Sequence, residues 1–370
     1  MGRLKTMVNT VLDKAILTKN DLVTLLNAEG TEALLLRQRA EQLKMQNVGN
    51  KVYFRGLIEY SNICAKNCYY CGLRCANTAV VRYQMRDEEV LDAVRYAYNE
   101  RYASLVIQSG EISTPAFVDK ITALLLQIGE ITNHSMGITL SLGEQSKETL
   151  QQWRNAGATR YLLRIETSNP DLYCKIHPNN ALHDFENRVK TLQWLRETDY
   201  QTGSGVMVGL PFQTIEDLAN DLLFFKNHDI DMIGMGPYIE HSQTPLYQYR
   251  DMLMPLLWRF EKTLNMIAAL RVLMPDINIA ASTAMQAIDP AGREKAIIAG
   301  ANVIMPNLTP QKYRGEYLLY ENKPCIDEEA DQCKRCLERR ILMIGHQIGY
   351  GETGDSKHYV PEVSSALIQV

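Results

Sequence analysis

The sequence predicts an α/β fold: a complete (β/α)8 barrel of the TIM type, with a helical cap before it and a cluster-binding extension after it. Eight short apolar segments with strand-like patterning recur along the chain. Segments with amphipathic helical spacing, such as 87–101 and 215–227, separate them. An open, doubly wound sheet is the alternative, but the sequence lacks the glycine-rich dinucleotide turn of that fold.

The predicted strands divide the chain into three parts. They cover residues 54–60, 103–108, 136–142, 159–166, 204–209, 230–236, 277–283 and 302–306. Residues 1–50 form the helical cap, with Asn20 or Asp21 capping a short helix and a longer helix over 31–46. Residues 51–310 form the barrel, and residues 311–370 form the C-terminal extension.

Composition and charge exclude several classes of protein. The net charge is −4 and the basic residues are scattered, so no surface for nucleic acid is expected. No apolar run approaches the roughly 20 residues that cross a bilayer, and the N-terminus lacks the hydrophobic region of a signal peptide. Only Cys75 and Cys174 stand outside two cysteine groups with metal-ligand spacing, which differs from a disulfide scaffold. We therefore expect a cytoplasmic protein without a membrane partner.

Three cysteines lie in the loop after the first predicted strand, in the order Cys64-x3-Cys68-x2-Cys71. Three thiolates on one tight loop can bind three irons of a [4Fe–4S] cluster and leave the fourth iron open to a small molecule. Such a cluster is oxygen-labile, which indicates an anaerobic organism. Cys75 is a candidate fourth ligand that would close the cluster. A zinc knuckle or a set of buried thiols is the alternative, although a zinc site usually needs a fourth Cys or His.

Polar residues follow several predicted strands, at the end where barrel enzymes place their reactive groups. In the fourth strand, Arg160, Leu162, Arg164 and Glu166 alternate with apolar residues, so these four side chains face the barrel interior. Buried charges must pair with each other or with a charged ligand, because an unpaired buried charge is costly. The pattern therefore predicts a ligand site, with a purely structural ion-pair network as the alternative.

A second group of cysteines, Cys325-x7-Cys333-x2-Cys336, lies beyond the last predicted strand. This spacing predicts a second cluster, either [4Fe–4S] or [2Fe–2S]. A zinc site completed by another ligand is the alternative. His177 and His183 have no metal-ligand spacing, and we expect them to be surface or structural residues.

These motifs together resemble the radical S-adenosylmethionine (SAM) superfamily, and within it the HydE family of [FeFe]-hydrogenase maturases. The cysteine loop is specific for the superfamily, and the resemblance covers about residues 50–340. The HydE-type strings are GLIEYSN from residue 56, QSGE from 108, TLSLGE from 139, RYLLR from 160, ENR from 186, MVGLP from 207 and NVIMPN from 302. Biotin synthase and methylornithine synthase are near relatives of this family.

The resemblance implies roles for particular residues. Cys64, Cys68 and Cys71 would bind a cluster whose open iron chelates SAM through its amino nitrogen and carboxylate. The residues that would contact SAM are Tyr70, Gln108, Ser109, Gly110, Glu111, Ser141, Arg164, Glu166 and Arg188. Among these, Ser109 replaces the first glycine of the superfamily's Gly-Gly-Glu motif, as it does in HydE-type sequences.

The resemblance also implies a reaction and its partners. An electron from the reduced cluster would cleave SAM to methionine and a 5′-deoxyadenosyl radical. This radical would act on a sulfur-bearing, cysteine-ligated iron carbonyl–cyanide compound during assembly of the di-iron subcluster of the hydrogenase. The cavity for that organometallic substrate would be lined by Thr139, Arg160, Met232, Thr283, Met305, Tyr317 and Tyr320. An electron donor such as ferredoxin or flavodoxin and other hydrogenase maturases are the expected protein partners.

Two other functions stay open at this point. A radical SAM amino-acid mutase or sulfur-insertion enzyme, of the methylornithine synthase or biotin synthase type, would keep the chemistry and change the substrate. Relatives of methylornithine synthase usually lack the C-terminal cysteines, which favours the maturase. An iron–sulfur scaffold or electron-transfer protein would hold two clusters without binding SAM, but it does not explain charges that face the interior. The second cluster varies within the HydE family, which argues against an essential catalytic role.

Overall fold

A computed structural model of the chain describes residues 7–361, in which helices surround a parallel sheet. The strands are β1 (Lys51–Phe54), β2 (Gly56–Ser61), β3 (Ser104–Ser109), β4 (Gly137–Ser141), β5 (Ala158–Leu162), β6 (Gln201–Ser204), β7 (Met207–Val208), β8 (Met232–Pro237), β9 (Asn278–Ala281), β10 (Val303–Ile304) and β11 (Gln347–Ile348). No helix in this part of the chain is long and apolar enough to cross a membrane.

The helices lie mainly between successive strands, as a parallel sheet requires. They are α1 (Met7–Leu12), α2 (Lys19–Leu26), α3 (Gly30–Asn47), α4 (Asp87–Asn99), α5 (Pro115–Ile131), α6 (Lys147–Asn155), α7 (Pro170–Ile176), α8 (Phe185–Glu197), α9 (Ile215–Asn227), α10 (Leu256–Leu273), α11 (Thr283–Ile288), α12 (Gly292–Ile298), α13 (Gln311–Arg314) and α14 (Ala330–Met343). Short 3-10 helices occupy Ala181–His183 and Pro245–Met252.

The strands pair in the order β11-β1-β10-β9-β8-β6-β5-β4-β3-β2, and β7 pairs with β8. Only Arg55 separates β1 from β2, so one extended segment pairs with β10 on one side and with β3 on the other. The backbone N–H groups of Tyr53, Arg55 and Leu57 donate to the carbonyls of residues 302, 304 and 306 at 2.8–2.9 Å. The first and last thirds of the sheet are therefore joined by hydrogen bonds.

Each predicted strand overlaps an observed one, and the largest differences are in the fourth and fifth. The fourth strand ends at Leu162 rather than at residue 166. Glu166 has φ +65°, which an extended strand cannot accommodate. The fifth strand begins three residues earlier than predicted and breaks at Gly205. A Cβ at Gly205 would lie 2.0 Å from the Gly234 carbonyl oxygen, so this close crossing requires glycine.

The N-terminal helices pack against two later helices: α3 packs mainly against α10, and α2 packs mainly against α9. The prediction that Asn20 or Asp21 caps the short helix is wrong, because α2 begins at Lys19 and its cap is Thr18. The Thr18 Oγ1 accepts a bond from the Asp21 N–H, and the Asp21 carboxylate accepts one from the Thr18 N–H at 2.9 Å. Residues 1–6 of the predicted cap lie outside the described residues.

Part of the C-terminal extension belongs to the sheet, because β11 pairs with β1. Residues 353–356, which we name the floor segment, follow β11 and lie across the N-terminal ends of the strands. Its Gly354 carbonyl accepts hydrogen bonds from Arg55 at 3.1 Å and from Asn278 at 2.9 Å. The Gln201 side-chain oxygen accepts one from the Ser356 N–H at 2.9 Å. The boundaries predicted at residues 50 and 310 stay predictions.

Candidate functional site

A cavity of about 390 Å³ lies among the C-terminal ends of the strands. It is lined by every residue predicted to bind the cluster or SAM, namely Cys64, Cys68, Tyr70, Cys71, Gln108, Ser109, Gly110, Glu111, Ser141, Arg164, Glu166 and Arg188. The lining also includes six residues predicted for the substrate, namely Thr139, Met232, Thr283, Met305, Tyr317 and Tyr320. Their roles stay predictions, but the structure brings these side chains around one space.

The cysteine loop places three thiols in the cavity lining, and backbone N–H groups donate hydrogen bonds to two of them. The Glu111 N–H donates to Cys64 Sγ at 3.3 Å, and the Leu73 N–H donates to Cys71 Sγ at 3.4 Å. Burial raises the pKa of Cys68 to about 12 and also raises the pKa values of Cys64 and Cys71. Thiols in such dry surroundings become thiolates when iron supplies the positive charge.

The three thiols of this loop suit a [4Fe–4S] cluster better than a single metal ion. Within residues 7–361, no three His, Cys, Asp or Glu side chains are close enough together to hold a single metal ion. A four-iron cluster needs wider spacing, because each thiolate binds a different iron. Cys75 is exposed and does not line the cavity, but it lies near enough to Cys64 to contribute to the raised pKa of that thiol, so its role as a fourth ligand stays open.

Two glycines allow the loops after β2, β3 and β4 to meet at Glu111. A Cβ at Gly110 would lie 2.2 Å from the Ile63 carbonyl oxygen, on the segment that leads into the cysteine loop. Gly143 has φ +78°, and a Cβ there would lie 2.1 Å from Glu111 Cγ. Larger residues at either position would therefore displace Glu111 or the cysteine loop.

Three buried charged side chains surround the partly buried Glu111, and we name Lys66, Glu111, Glu144 and Arg188 the Glu111 cluster. Lys66 Nζ lies 3.0 Å from Glu111 Oε1 and 3.1 Å from Glu144 Oε1. Arg188 Nε lies 2.9 Å from Glu144 Oε1, and its guanidinium lies 3.8 Å from Glu111 Oε2. Burial raises the pKa of Glu111, against the opposing effect of Arg188 and Lys66. Sequence reasoning missed Lys66 and Glu144, although both stand inside quoted motifs.

A second ion pair lines the cavity where the fourth predicted strand continues beyond β5. Arg164 donates to both carboxylate oxygens of Glu166, at 2.8 and 2.9 Å, and to the Gly234 carbonyl at 2.6 Å. Burial lowers the pKa of Arg164, but the Glu166 carboxylate outweighs this effect and the net pKa is raised. The alternation in the sequence correctly placed these two charges on the interior face.

Arg160 was predicted to line the substrate cavity, but it is not among the residues that line it, and its role stays a prediction. Its side chain is fully buried and contacts the floor segment. Arg160 donates to Ser104 Oγ at 2.9 Å and to the Thr353 carbonyl at 2.8 Å, and it pairs with Asp355. Strand alternation predicts which face of the sheet a side chain lies on, but not how close to either end of the sheet it lies. The floor segment that pairs with Arg160 is also far from it in sequence.

The deeper walls of the cavity carry polar groups that no strand pattern indicated. Lys323 pairs with Glu59 and donates to the Tyr317 carbonyl at 2.9 Å, while Asn307 donates to Glu59 Oε2 at 3.1 Å. Other buried hydroxyls lack a partner. In the described part of the chain, Thr139 Oγ1 and Ser282 Oγ make no hydrogen bond, although both residues line the cavity. These two hydroxyls are available to a ligand.

The structure brings together two of the three C-terminal cysteines. Cys325 and Cys333 both line the cavity, whereas Cys336 is exposed, lies one turn further along α14 and does not line it. The two thiols interact closely, and this interaction raises the pKa of Cys325 and lowers the pKa of Cys333. Arg314 NH1 donates to the Cys325 carbonyl at 3.2 Å and so fixes the loop that carries it.

The remaining candidates lie outside the cavity. Cys174 is exposed. His177 and His183 are buried and act structurally: His177 Nε2 lies 3.1 Å from the Tyr70 hydroxyl, and His183 Nε2 accepts a bond from the Asn67 N–H at 2.9 Å. Burial lowers the pKa of His177 to about 3, so this imidazole is neutral and supports Tyr70.

Comparison with known proteins identifies the family of the chain. The model of the radical SAM superfamily matches residues 58–225. The [FeFe] hydrogenase maturase subunit HydE of Thermotoga maritima is 44% identical over 84% of this chain and 85% of its own length. The 3-methylornithine synthase of Methanosarcina barkeri is 26% identical over 90% of this chain and 91% of its own length.

A solved structure shares the fold at lower sequence identity. Methylornithine synthase (PylB) superposes with a TM-score of 0.77 at 24% identity, over 93% of this chain and 97% of that chain. The higher identity to the maturase subunit decides between the two families. The chain therefore belongs to the radical SAM superfamily and, within it, to the HydE family of [FeFe]-hydrogenase maturase subunits.

Proposed function

We propose that this chain cleaves SAM reductively to form a 5′-deoxyadenosyl radical and acts in the assembly of the di-iron subcluster of [FeFe]-hydrogenase. One observation carries the proposal: Cys64, Cys68 and Cys71 share a single cavity with Glu111, Arg188 and the Arg164–Glu166 pair. A [4Fe–4S] cluster bound there would supply an electron and an open coordination position. Membership of the HydE family supports the maturase role.

The residues at the mouth of the cavity would bind and orient SAM. Glu111 presents carboxylate oxygens that can accept N–H groups from the methionine part of SAM. Arg188 and Arg164 suit a carboxylate, since a guanidinium offers two parallel donors. Glu166 can accept ribose hydroxyls, and the backbone beside Tyr70 would border the adenine. Together these contacts would hold the sulfonium near the cysteine loop.

The deeper part of the cavity would bind the substrate, which we propose to be a cysteine-ligated iron carbonyl–cyanide compound. Met232, Met305, Tyr317 and Tyr320 supply a soft and largely apolar lining, which suits an organometallic molecule. Thr139 adds a hydroxyl that has no partner within residues 7–361. These walls would also keep water away from a radical.

We propose a second iron–sulfur cluster, [4Fe–4S] or [2Fe–2S], at Cys325, Cys333 and Cys336. The contact between Cys325 and Cys333 supports it, as does the position of Cys336 one helical turn from Cys333. We further propose that an electron donor of the ferredoxin or flavodoxin type reduces the protein and that other maturases are its partners. An anaerobic cytoplasm is the setting that an oxygen-labile cluster requires.

We propose that the strands form a complete (β/α)8 barrel, and the pairing of the strands supports this proposal. The segment formed by β1 and β2 is hydrogen-bonded to β10 on one side and to β3 on the other. An additional parallel bridge joins Leu57 and Asn307. If the segment counts as one strand, eight strands follow one another around a ring, with β11 attached outside it.

The decisive experiment is EPR spectroscopy of the anaerobically reconstituted and reduced protein, with and without SAM. We expect a [4Fe–4S]⁺ signal that shifts when SAM is added, followed by release of 5′-deoxyadenosine. Cys68→Ala should abolish the shifted signal, whereas Cys75→Ala should keep it. Cys333→Ala should lower the iron content without stopping SAM cleavage. An unshifted signal, or a signal that requires Cys75, would mean a closed cluster and would refute the radical mechanism.

A further inference from the structure

The Glu111 cluster contains two residues that the binding of SAM does not explain. Lys66 belongs to the cysteine loop, and Glu144 follows β4 behind Glu111 and outside the cavity lining. Their exposed fractions are 4% for Lys66 and 9% for Glu144. Burying two charged side chains destabilises a protein unless opposite charges and hydrogen bonds compensate them.

The distances show how each member constrains the next. Each carboxylate oxygen of Glu111 has its own cation, with Lys66 at 3.0 Å on one side and Arg188 at 3.8 Å on the other. Glu144 Oε1 is shared by Lys66 at 3.1 Å and Arg188 at 2.9 Å. Asn187 donates to the other oxygen of Glu144 at 2.7 Å and so fixes its orientation.

The charges of the Glu111 cluster balance, because two cations face two carboxylates. This balance matters for a ligand that uses an amino group to coordinate a metal. Such a group binds through its lone pair and therefore arrives as a neutral amine, which brings N–H donors but no positive charge. A neutral amine does not compensate the negative charge of Glu111, so the protein must supply this compensation, and Lys66 and Arg188 do so.

Lys66 is also held in the cysteine loop by hydrogen bonds of the backbone around it. Its backbone carbonyl accepts a bond from the Cys75 N–H at 2.9 Å, and the neighbouring Ala65 N–H donates to the Glu111 carbonyl at 2.9 Å. Its ammonium group also donates to the Leu182 carbonyl. The side chain that compensates Glu111 therefore stands between two cluster cysteines, Cys64 and Cys68.

We propose that Lys66 and Glu144 are positioning residues, which hold Glu111 and Arg188 in the geometry that binds the amino and carboxylate groups of SAM. The inference rests on the proposed function, because it assumes that SAM binds in this cavity. Lys66 acts on Glu111 directly, and Glu144 acts by keeping Lys66 and Arg188 in place. Neither residue needs to touch SAM.

The test compares SAM affinity among charge variants of the reconstituted holoenzyme. The EPR titration of the unaltered protein comes first, and failure to bind SAM there would refute the proposed function rather than this inference. Glu144→Gln leaves two cations facing one carboxylate, and Lys66→Met leaves two carboxylates facing one cation. We expect each to weaken SAM binding by about tenfold or more and to raise the KM for SAM far more than it lowers kcat. Lys66→Arg keeps the charge and should bind SAM nearly as tightly as the unaltered protein.

The double variant distinguishes an effect of charge on SAM binding from a general loss of folded structure. Lys66→Met with Glu144→Gln restores neutrality around Glu111 and Arg188, so it should bind SAM more tightly than either single variant. Glu240→Gln is the matched control: it removes a carboxylate that pairs with Arg259 at 2.8 Å outside the cavity lining, and it should leave SAM affinity unchanged.

Three outcomes would overturn the inference. Glu144→Gln and Lys66→Met could bind SAM as tightly as the unaltered protein. The double variant could bind SAM more weakly than both single variants. All variants, including Lys66→Arg, could lose iron and thermal stability in parallel, which would show a purely structural role.

Discussion

The buried hydroxyl of Thr139 should destabilise the folded protein. The residue is 2% exposed, and its Oγ1 makes no hydrogen bond within residues 7–361. A buried polar group without a partner destabilises a protein by about 1–3 kcal/mol. We therefore expect a ligand in the cavity to form the hydrogen bond that this hydroxyl lacks.

Thr139→Val should therefore stabilise the protein and impair its reaction with substrate. The change replaces the hydroxyl with a methyl group of similar size, so we expect the free energy of unfolding to rise by about 1 kcal/mol. SAM affinity should stay unchanged, while substrate-dependent consumption of SAM should fall about tenfold. Urea unfolding and a 5′-deoxyadenosine assay measure the two effects.

Thr263→Val provides the matched control for this prediction. The Thr263 hydroxyl is fully buried on α10 and donates to the Arg259 carbonyl at 2.7 Å. Its loss should destabilise the protein by about 1 kcal/mol. Equal destabilisation by both variants would show that the Thr139 hydroxyl is satisfied in the folded protein.

Single residues were predictable where their signal is local. The three cluster cysteines and Ser109-Gly110-Glu111 lie in short motifs, and the structure places them on one cavity. Lys66 and Glu144 were not predicted, because they contact Glu111 only where three loops come together in the folded chain. The spacing of residues along the sequence does not show which loops come together.

Among the elements, α9 carries an unusual buried acid at its interface with the segment after β5. Asp221 is fully buried, and its Oδ1 accepts two hydrogen bonds from Ser168, one from the N–H and one from the hydroxyl, both at 2.6 Å. Burial raises its pKa to about 7, against the opposing effect of Ser168. The packing of α9 should therefore depend on pH.

The sign of this dependence follows from proton binding. Folded Asp221 keeps its proton up to about pH 7, whereas the unfolded chain releases it near the ordinary pKa of 3.8. The folded state binds more protons between these values, so the free energy of unfolding falls as pH rises through that range. Asp221→Asn should remove this slope, which is at most about 1.4 kcal/mol per pH unit. Urea unfolding at pH 5, 6 and 7 measures it.

Asp171→Asn changes an exposed acid at the start of α7 and is the control, since the slope should persist there. Identical slopes in the unaltered protein and in Asp221→Asn would contradict the prediction.

Most elements were predictable because hydrophobic periodicity marks them, and α9 has the predicted bounds 215–227. The break between β6 and β7 was not, because it depends on the contact of Gly205 with Gly234 in a neighbouring strand. Strand β11 has only two residues, Gln347 and Ile348, and carries no detectable pattern.

At the scale of the whole molecule, the floor segment closes the sheet at the end opposite the cysteine loop. Asp355 pairs there with Arg160, whose side chain is completely buried, and Asp355 itself is half exposed. Asp355→Asn would leave the guanidinium without its carboxylate and should destabilise the protein by about 1–3 kcal/mol. Thermal unfolding measures this loss, and the reduced EPR spectrum with SAM should stay unchanged.

Glu352→Gln is the matched control, because Glu352 pairs with Lys51 at the surface, where both side chains are more than two-fifths exposed. Such a pair contributes about 0–1 kcal/mol. The prediction fails if both variants lower the unfolding temperature equally or if Asp355→Asn alters the response to SAM.

The pairing of β11 and β10 with β1 has a consequence for how the protein is made. The ribosome releases β1 hundreds of residues before the two strands that flank it. Until they arrive, the edge of the nascent sheet beside the cysteine loop is open to other chains, which is a known route to aggregation. Contacts so distant in sequence also slow folding. The yield of soluble protein should therefore depend on the rate of synthesis and on the growth temperature more than on the stability of the finished molecule.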